Sequence, residues 1–192
     1  MVKIEKILDN FKTRNHCENI NPEYTAERNL VNILNDDMTC GLLTEYSNEV
    51  ENMLREREFA KTESGLVLKA VVDNEGLTEI RRVDLKKLKK FLTFSKQFGD
   101  AVRFSVNGYN FYGLAFGDMK EMVKVVLGSR DGDIANKNFS SKYKIEYIEN
   151  LVRALDKEDY IDFLVAKDYP LVAIVNEKVA YVVAPRIEEE LS

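Results

Sequence analysis

The stretch Tyr169–Glu190, YPLVAIVNEKVAYVVAPRIEEE, decides how the chain is read. Two runs rich in β-branched residues, Tyr169–Val175 and Lys178–Val183, flank Asn176-Glu177, and Pro185 stands where a strand ends. Upstream, Tyr160–Ala166 reads as a further strand. Before it, a helix starting at Ser140 or Ser141 and running to about Leu155 places Ile145, Ile148, Leu151, Val152 and Leu155 on one apolar face.

The same order of elements recurs toward the N-terminus. Asp84 caps a helix through about Gln97 that buries Leu85, Leu88, Phe91 and Leu92, and strands follow near Ala101–Val106, Tyr109–Phe116 and Glu121–Leu127. Asn107-Gly108 marks a tight hairpin. Leu88 and Ile148 hold equivalent helix positions and Val102 and Ile161 equivalent strand positions, an internal offset of about 60 residues. The fold class expected is α+β, with two β-α-β-β-β units over residues 65–192; Gly128–Asn138 is the loop between them.

The first 64 residues show helical periodicity instead. Ile4, Ile7, Leu8 and Phe11 share one face; Asn21-Pro22 suits the start of a second helix carrying Ala26, Leu30, Ile33 and Leu34; and Leu43, Tyr46, Val50, Met53 and Leu54 suggest a third between about Leu42 and Phe59. Residues 1–64 are therefore expected to form a small helical domain. A hairpin of Leu66–Val72 and Leu77–Val83, turning at Asp73-Asn74-Glu75-Gly76, would join it to the rest.

Composition sets the class of protein. The 192 residues are 45% hydrophobic and 32% charged, as in ordinary soluble proteins. No apolar run has the length of a membrane helix, and MVKIEKILDNFK lacks a signal-peptide core, so an intracellular location in cytoplasm or nucleoid is expected. Cys17 and Cys40 show no paired ligand spacing, and His16 beside Cys17 has no second histidine to complete a zinc site. No Walker loop, dinucleotide fingerprint or nucleophile elbow is found, and Gly113–Gly117 is too strand-like for a phosphate loop. The sequence thus reads as a non-enzyme without catalytic residues, metal or cofactor.

The formal net charge is -5, and the acidic excess lies within residues 1–64. Downstream, the first helix presents Lys86, Lys87, Lys89, Lys90 and Lys96 against Asp84, and the second shows Lys142, Lys144, Arg153 and Lys157 against Glu146, Glu149 and Asp156. Two such helices on one face of a sheet would offer cations to phosphates without reading bases. The plainer alternative is that the lysines only solvate exposed helix faces.

Several ordered motifs then carry a family resemblance. FGDAVRFSV (Phe98–Val106), SSKYKIEYIENLVRAL (Ser140–Leu155), KDYPLVAIV (Lys167–Val175) and YVVAPRIEEE (Tyr181–Glu190) resemble the C-terminal domain of sliding clamps of the proliferating-cell-nuclear-antigen (PCNA) type, archaeal clamps in particular. The resemblance runs from about Val83 to Glu190, with residues 1–64 standing outside it as an unrelated segment. It implies helices lining a channel around double-stranded DNA, with Lys86, Lys90 and Arg153 facing the DNA and Lys87, Lys142 and Lys157 beside them; Glu146 departs from the basic residue some clamps carry there. It also implies a pocket for PIP-box client peptides such as those of DNA polymerases, lined by Pro170, Val182, Ala184, Pro185 and Ile187 and flanked by Arg186. The same residues would otherwise be ordinary core, edge and strand-ending positions.

A clamp subunit normally has two such domains, so a single one would need six copies to close a ring, or the helical segment would cap an edge strand. The resemblance therefore implies a DNA replication accessory, a processivity factor that tethers partners. The alternative is a regulatory interaction protein that binds a cellular clamp or its clients without encircling DNA.

Overall fold

The computed structural model describes residues 4–15, 19–24, 29–34, 39–61, 68–117, 120–130, 138–155 and 158–186. The chain opens with helix α1 (Ile4–Asn15), strands β1 (Asn19–Tyr24), β2 (Asn29–Leu34) and β3 (Cys40–Glu45), helix α2 (Asn48–Glu56), the two-residue β4 (Ala60–Lys61) and the short α3 (Leu68–Val72). Then come β5 (Thr78–Asp84), α4 (Leu85–Ser95), β6 (Ala101–Asn107), β7 (Asn110–Gly117) and β8 (Lys120–Arg130), followed by β9 (Phe139–Lys144), α5 (Ile145–Ala154), β10 (Tyr160–Val165), β11 (Leu171–Asn176) and β12 (Val179–Val183). From β5 onward the order strand, helix, three strands occurs twice.

Among the described residues the strands join one sheet in the order β4-β1-β2-β3-β12-β11-β10-β5-β8-β7-β6-β9. Pairing is antiparallel except between β1 and β4. Alternation along the strands divides the apolar residues between the two faces of the sheet. Val31 and Ile33, Leu42, Tyr181 and Val183, and Phe163 belong to a core with Ile7 and Leu8 of α1, Leu88 and Phe91 of α4 and Ile148 and Leu151 of α5. Leu30 and Leu34, Leu43, Val172, and Ala180 and Val182 face the other way and pack with Leu68 of α3. Covered on both sides, β12 is buried at every position.

Local signals explain the elements. The Asp84 carboxylate accepts the Lys87 N–H at 2.9 Å and starts α4. α5 has no side-chain cap; its Ile145 N–H instead donates to the Asp100 carbonyl at 2.8 Å, tying the helix to the turn before β6. Gly108, at φ +60°, takes the first loop position of the β6–β7 hairpin, where glycine bears a positive φ without steric cost.

The N-terminal expectation is corrected. Asn19–Tyr24, Asn29–Leu34 and Cys40–Glu45 are strands of the common sheet, not helices of a separate domain, and among the described residues of this segment only α1 and α2 are helical. NLVNIL in β2 is buried on both faces, so its spacing of Leu30, Ile33 and Leu34 fits a helix and a doubly covered strand equally. Asn21 and Pro22 lie within β1, where they stand opposite Asn32 and Val31 of β2. The third helix begins only after Ser47, whose hydroxyl accepts the Val50 N–H at 3.1 Å; Cys40–Glu45 is strand.

Two further boundaries move. Leu68–Val72 is helix, not strand: Leu68 is anchored on the sheet and its N–H donates to the buried Asn32 Oδ1 at 3.1 Å, so no hairpin forms with β5, which pairs with β10 and β8. The segment from Phe139 to Lys144 is strand, with Ser141 and Tyr143 turned inward, and the helix starts at Ile145.

Candidate functional site

On the helix-bearing face, α5 packs between α1 and α4. Their apolar sides are committed to the sheet, which leaves the polar sides outward. Lys86, Lys87, Lys89 and Lys90 of α4 are all exposed, as is Arg153 of α5. Lys86 Nζ lies 2.9 Å from Asp159 and Lys87 Nζ 3.9 Å from Asp84, while Lys96 and Arg153 share Glu149 at 2.6 and 3.7 Å. Lys90 has no ionic partner among the described residues.

The Asp159 carboxylate raises the pKa of Lys86, and Glu146 does the same for Lys144. Exposed pairs of this kind contribute little, because water and salt screen them, so a phosphate can take the place of either carboxylate. Lys86 and Lys89 border a hollow with Val152, Leu155 and Asp159, and Lys89 and Arg153 border the next, so the α4 cations reach the seam with α5. The α1 side is joined through Arg57, which follows α2 and bonds Asp9 at 2.6 Å; that hydrogen bond raises the Arg57 pKa.

Of the DNA-facing residues expected from the sequence, Lys86, Lys87, Lys90 and Arg153 are therefore brought onto adjacent helices. Lys142 is not. It sits on β9 between the inward Ser141 and Tyr143, so two-residue alternation turns it to the opposite face, where it lines a hollow with Arg103 and Phe116. Lys157 lies outside the described residues. Lys89 belongs with the helix-face group; the lysine run of α4 was its signal.

The expected peptide-binding positions fall along the chain's end. Val182 is buried on the second face of the sheet in the cluster that holds Leu68, so the chain's own α3 shares that face with it. Pro170, Ala184 and Pro185 are half-buried. Beside Pro170, the Tyr169 hydroxyl donates to the Val71 carbonyl of α3 at 3.4 Å, while the Tyr169 carbonyl accepts the buried Tyr143 hydroxyl at 2.9 Å. Burial raises the Tyr143 pKa well above that of a free phenol.

The segment after β12 is fixed at three points. Ala184 N–H donates to Thr39 O at 2.7 Å, Arg186 N–H to Lys142 O at 2.7 Å, and the Arg186 guanidinium to Asp100 Oδ1 at 2.7 Å, which lowers the Asp100 pKa. Ile187 lies outside the described residues. Sequence reasoning missed Leu68, Asn32 and Tyr169 here, because a five-residue helix carries too little periodicity to be recognised.

One strand edge completes the picture. β8 pairs with β7 from Lys120 to Ser129, but among the described residues its other side meets β5 only at Ser129 and Arg130. Most of its length is therefore open on one edge. Among the described residues no group of three or more His, Cys, Asp and Glu is placed to hold a metal, and no helix is long and apolar enough to cross a membrane.

A single sheet of this order, with a row of helices on one face, is the fold of the DNA sliding clamps. PCNA from Thermococcus kodakaraensis superposes with a TM-score of 0.65 at 14% identity over 95% of this chain and 96% of that one. The Caulobacter crescentus pol III beta structure gives 0.67 at 10% identity over 96% of this chain and 64% of its own. In sequence, the DNA polymerase sliding clamp of Methanocella arvoryzae is 28% identical over 113 residues, 54% of this chain and 45% of that protein. No family model matches.

The chain therefore shares the fold of the DNA sliding clamps and is similar in sequence to an archaeal clamp over about half of its length. It spans under half the length of that curated relative, yet its structural likeness reaches across the N-terminal strands, well beyond the stretch that the motifs marked.

Proposed function

We propose that the chain is a non-enzymatic, sliding-clamp-like replication accessory that acts inside the cell, rests its helical face on duplex DNA without reading sequence, and tethers replication partners. The observation that carries this reading is the set of four exposed lysines of α4 at the seam with α5, on the outer side of a helix row whose inner side is committed to the sheet. Lys86, Lys87, Lys90 and Arg153 would meet phosphates, with Lys89 added to them. Residues 65–192 are read as a duplicated clamp module, to which residues 1–64 add two helices and the four strands β1–β4 on the β12 edge. Pro170, Ala184, Pro185 and Arg186 are the positions proposed for a client peptide, which would lie beside α3.

The open β8 edge favours association, either with further copies of the chain or with a cellular clamp. The second of these is the regulatory reading, in which the edge and not the helices does the binding. Stimulation of a polymerase on primed DNA separates the two. Lys86→Glu, Lys87→Glu and Lys90→Glu combined should abolish stimulation if the helical face meets DNA; unchanged stimulation rejects that face. Mass in solution by light scattering reports the assembly: a multiple of the 22.1 kDa chain supports association, and a stable monomer counts against a closed ring.

A further inference from the structure

We propose that the outer face of the β9-β6-β7-β8 half-sheet is a docking surface for an acidic segment of a partner protein that carries an apolar side chain between its carboxylates. The inference is independent of the DNA reading, because this face lies opposite the helices.

Register assembles the surface. Lys142 of β9 stands beside Arg103 of β6, Arg103 beside Leu114 of β7, and Leu114 beside Lys124 of β8, which puts cations at three of four places in one transverse row. At the usual strand spacing the row is about 14 Å long. The inward neighbours Val102, Phe104, Phe111 and Ala115 are buried against the helices, so alternation turns Arg103, Tyr112 and Phe116 outward.

Phe116, near the end of β7, and Val126, on the open-edged β8, remain 38% and 47% exposed, large apolar side chains left on the outer face. The Arg103 guanidinium sits 5.3 Å from the Phe116 ring centroid, and Lys124 Nζ 4.4 Å from that of Tyr112. Arg103, Phe116 and Lys142 line a hollow of about 520 Å³. The acid at its rim, Asp100, is already engaged by Arg186 at 2.7 Å.

The chemistry selects the partner. A hollow with an aromatic wall has room for an apolar side chain, and the flanking cations meet carboxylates on either side of it. Nucleic acid fits less well. The rings that would stack on bases carry cations over them, and the charges form one short row where a strand of phosphates calls for a longer track. The other half of the same sheet face is filled by α3 through Leu68, whereas Lys124, Phe116 and Val126 on this half are open to solvent.

The test is fluorescence anisotropy on the full chain, using a labelled peptide of about ten residues with a phenylalanine between glutamates. A glutamine-substituted copy and a single-stranded DNA of similar length are the comparators. The acidic peptide should bind, lose affinity as salt rises, and weaken about tenfold with Arg103→Gln and about fivefold with Lys124→Glu, both checked for native circular dichroism. Lys90→Glu, on the other face, should leave it unchanged. Equal binding of the glutamine peptide, DNA binding that weakens with Arg103→Gln as much as peptide binding does, or indifference to both substitutions overturns the proposal. The Lys90→Glu arm separates its failure from that of the DNA face.

Discussion

Replacing Gly113 with alanine sets two opposing effects against each other. Gly113 lies in β7 on the helix-facing side, and a Cβ built there would stand 2.7 Å from Phe91 Cε1 and 2.9 Å from both Phe91 Cζ and Leu127 Cδ1. Alanine in a strand interior is otherwise favoured over glycine by roughly 0.5–1 kcal/mol. Phe91 and Leu127 are almost wholly buried, so neither can swing into solvent, and forcing a methyl into a packed core costs about 1–3 kcal/mol.

The clash should win, leaving Gly113→Ala destabilised by about 0.5–2 kcal/mol, or roughly 2–6 °C in Tm for a chain of this size. Equilibrium denaturation with thermal melting measures it. A Phe91→Leu background relieves the contact, and Gly113→Ala should then cost less than it does beside Phe91, a coupling on the order of 0.5–1 kcal/mol. A higher Tm for the single variant, or full additivity in the double, would refute the idea that Gly113 sets how closely α4 seats on the sheet.

Leu68→Ala should cost about 2–5 kcal/mol in denaturant unfolding, because it removes the side chain that pins α3 to the second face; a change under 1 kcal/mol would mean that α3 is not anchored there. Tyr143→Phe should cost about 1 kcal/mol through loss of the hydroxyl that donates to Tyr169 O at 2.9 Å, and in spectrophotometric titration the Tyr143 phenol should ionise only above the range of a free phenol. The Arg186 hydrogen bond holds the Asp100 carboxyl below its ordinary range, so this interaction is present at neutral pH and is lost as pH falls through the lowered folded-state pKa. An NMR titration should show the Asp100 midpoint rising in Arg186→Gln; an unmoved midpoint would discount the ion pair.

The C-terminal two thirds of the fold was legible because single-sided burial writes its period into the sequence. In α4, Leu85, Leu88, Phe91 and Leu92 recur at helical spacing behind the Asp84 cap, and in β6 Val102, Phe104 and Val106 alternate with exposed or half-exposed partners. The N-terminal strands failed for the converse reason. β2 and β3 are buried on both faces, so their near-continuous apolar runs carry no period that separates strand from helix.

Ser140 misled in a different way. As a good N-cap residue it drew the helix start forward, whereas the structure uses the Asp100 carbonyl, distant in sequence, to cap α5. The same shift moved Lys142 off the helical face. For the candidate sites, the lysine run of α4 was visible in composition, but the pairing of Lys86 with Asp159 and the row of Lys142, Arg103 and Lys124 depend on register between strands and loops far apart in the chain.

The most direct measurement is duplex-DNA binding as a function of salt for the native chain and for the Lys86→Glu, Lys87→Glu, Lys90→Glu triple variant. With about four phosphate contacts from the α4 lysines, log K should fall against log salt with a slope of about −3 to −4, near a hundredfold loss between 50 and 200 mM. The triple variant should bind more weakly at every salt concentration, with a slope shallower than about −1.5. Equal affinity and equal slope in the two proteins would contradict a DNA-bearing helical face.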